Sequence, residues 1–62
     1  MRTTVREAAK RLQMREQTIR VIMQRDTERE TPKLPIGTAE KFNNRWSYYI
    51  WDSKVDKFLG EV

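Results

Sequence analysis

The chain has 62 residues, a formal net charge of +4, a sequence pI near 9.9, and neither cysteine nor histidine. A chain this short holds one small core. The missing residue types exclude disulfides and thiolate or imidazole metal sites, and leave only carboxylates, lysines, tyrosines and hydroxyls for any neutral-pH catalysis.

In chain order, Thr4-Val5-Arg6-Glu7 predicts a capping box. The threonine oxygen would accept the Glu7 amide while the glutamate side chain reaches back. Ala8, Ala9 and Leu12 then recur at helical spacing, predicting a core-facing helix of about two turns with Arg6, Lys10 and Arg11 toward solvent. Gln13 and Met14 break this phase, and Ile19, Ile22 and Met23 restart it, which predicts a second helix from about Glu16 to Arg25. The short gap between the two has the spacing of a helix-turn-helix. Arg15, at the N-cap position, is a poor capping residue, and Gln13 stands where such turns often carry glycine.

Residues 26–33 contain no apolar side chain and are acidic on balance. They predict a loop bounded by Pro32 and Pro35 that does not follow a phosphate backbone. Ile36 to Phe42 and Arg45 to Trp51, joined by Asn43-Asn44, predict a β-hairpin, because asparagine tolerates the positive φ angles of a two-residue turn. Pairing Phe42 with Arg45 sets Lys41 opposite Trp46, Ala39 opposite Tyr48 and Gly37 opposite Ile50. Small residues then face large ones on the inner side, leaving Thr38, Glu40, Phe42, Ser47, Tyr49 and Trp51 outside. A closing helix starts at Asp52 or Ser53, turns Val55, Phe58 and Leu59 to the core and stops at Gly60.

The charge is unevenly spread. The first 25 residues carry an excess of five positive charges and the remainder an excess of one negative. That asymmetry suits an anionic polymer partner. With Ile19, Ile22 and Met23 inward, Arg15, Gln17, Thr18, Arg20, Val21 and Gln24 face out, and these are side chains able to read base edges in a major groove. Lys41, Asn43, Asn44 and Arg45 form a polar hairpin tip suited to phosphates or a minor groove. Glu7, Glu16, Asp52 and Asp56 read as charge-balancing partners of basic neighbours. The sequence thus predicts no catalytic residue, no metal and no cofactor. Trp46, Tyr48 and Phe58 are expected in the core, and Tyr49 and Trp51 are candidates for a protein contact.

Val5 to Leu12, Gln17-Thr18-Ile19-Arg20, Leu34 to Ala39 with Arg45 to Ile50, and Val55 to Leu59 together resemble the excisionase-like, MerR-type winged helix-turn-helix family of phages and integrative elements. The resemblance implies an α+β, mainly α fold: helix, turn, recognition helix, two-stranded hairpin wing and short C-terminal helix, as one domain over residues 1–62. It implies a sequence-specific double-stranded DNA-binding protein, either an excisionase that acts beside an integrase or a transcriptional regulator of the same element. Cooperative self-association on DNA is a further expectation. With no run approaching about 18 apolar residues and no apolar leader, a soluble protein in the cytoplasm of a bacterial host cell is expected. A protein-binding module such as an antirepressor is the alternative of a different class.

Overall fold

The first helix begins where Thr4 can cap it. A computed structural model describes residues 1–60, and in it the threonine hydroxyl accepts the Glu7 amide at 3.1 Å before α1 (Val5–Leu12). The second arm of the expected capping box is not made, because the Glu7 carboxylate turns to Lys10, 3.8 Å away on the same helix face.

Gln13 ends α1 in the left-handed region, at φ 56°, so that its own amide and that of Met14 both reach the Ala9 carbonyl. The position where glycine is frequent is thus held by a residue with a Cβ, at a conformational cost of about 1 kcal/mol. After an extended Arg15, which makes no side-chain cap, α2 runs over Glu16–Asp26.

Asp26 organises the connection that follows. One carboxylate oxygen accepts from Arg29 Nη1 at 2.7 Å and the Lys33 amide at 3.0 Å, and the other accepts from the Leu34 amide at 3.0 Å. Leu34 and Ile36 are thereby delivered to the interior, where both are buried. The charged stretch expected as a plain loop is a clasp closed at both ends by one aspartate.

β2 (Gly37–Phe42) and β3 (Arg45–Trp51) pair antiparallel in the expected register, from Phe42 with Arg45 to Gly37 with Ile50. Asn43 and Asn44 adopt φ 50° and 61°, the two left-handed residues of a type I′ turn. The sheet has three strands rather than the two expected, in the order β1-β3-β2. β1 (Arg2–Thr3) adds to the far edge of β3, pairing Arg2 with Trp51 and Thr3 with Ile50. Two residues are too few to show the alternation that reveals a strand.

The core lies between the inner sheet face and the helices. Ala8, Ile19, Ile36, Ile50 and Val55 are fully buried, and Ala9, Met23, Leu34 and Ala39 nearly so. Burial of each larger aliphatic side chain contributes roughly 1.5–3 kcal/mol. Trp46 and Tyr48 pack against this cluster as expected.

α3 (Asp52–Leu59) buries Val55 and ends at Gly60, which is left-handed at φ 77°. Phe58 and Leu59 depart from expectation, being 44% and 37% exposed. The cause is how the helix is rolled. Asp52 and Asp56 turn toward α1 to bind Arg11, which leaves Phe58 off to one side and Leu59 in the last turn. Arg11, expected in solvent, is therefore half-buried and ties α1 to α3. Among the described residues the result is a mixed α+β fold of three helices and a three-stranded antiparallel sheet.

Candidate nucleic-acid interface

Two polar groups of side chains stand out, one on α2 and one at the hairpin tip. On α2, Ile19 and Met23 anchor the inward side, so residues on the opposite side are fixed in direction by a rigid helix. Arg15, Gln17 and Thr18, at its N-terminal end, are exposed. Arg20 is part-exposed and donates to Glu16 Oε1 at 3.2 Å, one turn back. Val21 and Gln24 are half-buried, and Gln24 Nε2 donates to the Tyr48 hydroxyl at 2.6 Å.

The six residues expected on one outward face thus divide. Arg15, Gln17 and Thr18 are open to a partner. Arg20 reaches outside the chain only by leaving Glu16, and Gln24 joins α2 to the hairpin. Arg25, missing from the expected set, is exposed and makes no ion pair among the described residues. It follows Gln17 and Val21 at steps of four, a helical spacing that places it on the same side. That spacing was the available signal.

At the tip, Lys41, Asn43, Asn44 and Arg45 are all exposed. The type I′ turn and the Phe42–Arg45 ladder pair hold them on a narrow ribbon. None of them makes an ion pair or side-chain hydrogen bond among the described residues. Two cations and two amides at a fixed turn can bind anionic oxygens. Phe42, between them, is the most exposed aromatic of the described residues, at 77%.

The other basic side chains are arranged differently. Arg6 is exposed, Lys10 pairs with Glu7, Arg11 serves α3, and the Arg2 guanidinium lies 5.1 Å from the centroid of the Tyr49 ring. The cationic surface is therefore narrower than the count of arginines in the first 25 residues suggests. Tyr49 is half-buried beneath Arg2, and Trp51 is exposed beside it on the outer sheet face. Among the described residues no cluster of acidic side chains has metal-binding geometry, and no helix is long and apolar enough to cross a membrane.

Compared with known protein families, with characterised proteins and with solved structures, the chain shows no significant match. The functional reading rests on the side chains themselves.

Proposed function

We propose that this protein binds double-stranded DNA as a winged helix-turn-helix module, with α2 in the major groove and the hairpin as a wing on the flanking backbone. The observation that carries the reading is the open N-terminal end of α2. Gln17 and Thr18 project from a helix whose inward side is fixed by Ile19 and Met23, and Arg15 stands exposed in the extended residue just before it. Arginine pairs with guanine, glutamine with adenine, and a threonine methyl can touch thymine. Lys41 and Arg45 supply phosphate contacts at a second point, and Arg25 adds a third cation on the helix.

A single module of this size covers roughly 600–1,000 Å² of its own surface on DNA. Useful affinity then calls for neighbouring copies or an integrase, as an excisionase would have. Action as a transcriptional regulator of the same element uses the same contacts. The exposed Trp51, Phe58 and Leu59 favour a second reading, a protein-binding module such as an antirepressor.

Fluorescence anisotropy of the chain on a random-sequence duplex, titrated with salt, tests the main reading. Phosphate contacts by Arg25, Lys41 and Arg45 predict a log–log slope of about −2.7. Gln17→Ala should leave that slope in place while reducing discrimination between sequences. A flat salt response at low ionic strength favours the protein-binding reading instead.

A further inference from the structure

We propose that Phe42 is an apolar wedge which enters a base step from the minor groove when the hairpin tip meets duplex DNA, an inference that rests on the DNA-binding reading. Phe42 is the last residue of β2 and is 77% exposed. It lies on the sheet face turned away from the core, opposite Arg45 in the ladder. The backbone around it is fixed: the ladder holds it on one side, and the left-handed Asn43 and Asn44 reverse the chain immediately after it. A largely solvated aromatic ring on a fixed backbone is poised for burial elsewhere.

Its neighbours describe the partner. Arg45 stands opposite the ring on the same face, Lys41 projects from the other face of the ribbon, and Asn43 and Asn44 form the turn beside it, all exposed. An apolar core would not border on such groups, whereas a duplex groove offers what they fit: two rows of phosphates flanking a stack of aromatic bases. A two-stranded ribbon is accommodated in the major groove of about 12 Å, while the minor groove is only about 6 Å wide. Proteins that work there open the groove by inserting a Phe, Leu, Ile, Met or Pro between base pairs, which kinks the helix toward the major groove. Phe42 is placed to do this, with Arg45, on the same face of the ribbon, and Lys41, on the opposite face, meeting phosphates of the flanking strands. The step entered should be the one most easily unstacked, a pyrimidine–purine step such as TA.

The experiment uses the full chain at low salt on a duplex with one central TA step, 2-aminopurine beside that step and a fluorophore pair at the ends. Wild type is expected to raise 2-aminopurine emission and bring the ends together. Phe42→Leu, still an apolar wedge, should retain both signals. Phe42→Ala should bind with a Kd within about tenfold of wild type, since its phosphate contacts remain, yet lose both signals with an unchanged far-UV spectrum. If Phe42→Ala retains the bend and the emission, the wedge is overturned while DNA binding stands. If wild type fails to bind any duplex at low salt, the DNA reading falls and the wedge with it. Vesicles of phosphatidylserine and phosphatidylcholine provide the remaining arm: Phe42-dependent vesicle binding without unstacking of DNA would assign the tip to an anionic bilayer and overturn the proposal.

Discussion

The two ends of the hairpin are built on opposite terms. At the base, β2 runs so close to β3 that Gly37 has no room for a side chain, and Ile36 and Ile50 are fully buried. At the tip, every residue from Glu40 to Arg45 is exposed. The contrast implies a division of labour: close packing at one end fixes the direction of a ribbon whose other end adds no buried side chain to the core. Substitutions at the base should act on stability, and substitutions at the tip on a partner.

The largest expected effect is at Gly37. A Cβ there would lie 1.9 Å from the Tyr49 carbonyl oxygen and 2.8 Å from the Ile50 Cα, both backbone atoms that cannot rotate away. Gly37→Ala must separate the two strands beside the buried Ile36 and Ile50. We expect a loss of more than ~3 kcal/mol, enough to unfold most of a chain whose whole stability is about 3–9 kcal/mol. Urea titration followed by far-UV circular dichroism measures this. A midpoint close to wild type would show that the base is more pliant than its packing indicates.

Asp26 is next, since its clasp leads the chain into that base. Burial pushes its carboxyl up, but the amide of Lys33, the Arg29 side chain and the amide of Leu34 outweigh this and hold it below the ordinary carboxylate range. With the folded-state value depressed, its contribution is complete above the unfolded value of about 3.9 and is lost as pH falls through the lower folded value. Asp26→Asn keeps the shape and removes the charge, with an expected loss of about 2 kcal/mol at neutral pH. The variant should converge on wild type in acid, where both are uncharged at this position. Urea midpoints taken from neutral to strongly acidic pH would test that convergence, and parallel curves would remove Asp26 as the cause.

What the sequence made legible, and what it hid, follows from the range of each interaction. The hairpin register could be read from the Asn43-Asn44 pair, because a two-residue turn determines every pairing above it. The inward placement of Ile19 and Met23 followed from periodicity, and Gln13 marked the turn even without glycine. Interactions between distant positions were hidden. The partner of Arg11 on Asp56 is 45 residues away, and that of Gln24 on Tyr48 is 24 away. These two contacts decide which polar side chains remain open, so the expected α2 face was too wide at Gln24 and omitted Arg25. Helical spacing and ring size both point Phe58 to the core, but Asp52 and Asp56 turn toward Arg11, a long-range contact that neither signal reveals.

The smallest effect on stability belongs to the tip. Lys41 and Arg45 touch no acidic partner among the described residues, so Lys41→Ala and Arg45→Ala should each change stability by no more than about 0.5 kcal/mol. On DNA the same substitutions should weaken binding to all sequences alike, each making the salt slope shallower by about 0.9. The pairing of the two measurements gives the prediction its force. A tip that is silent in folding and loud in binding is an interaction surface, whereas a tip whose loss destabilises the fold would belong with the base after all.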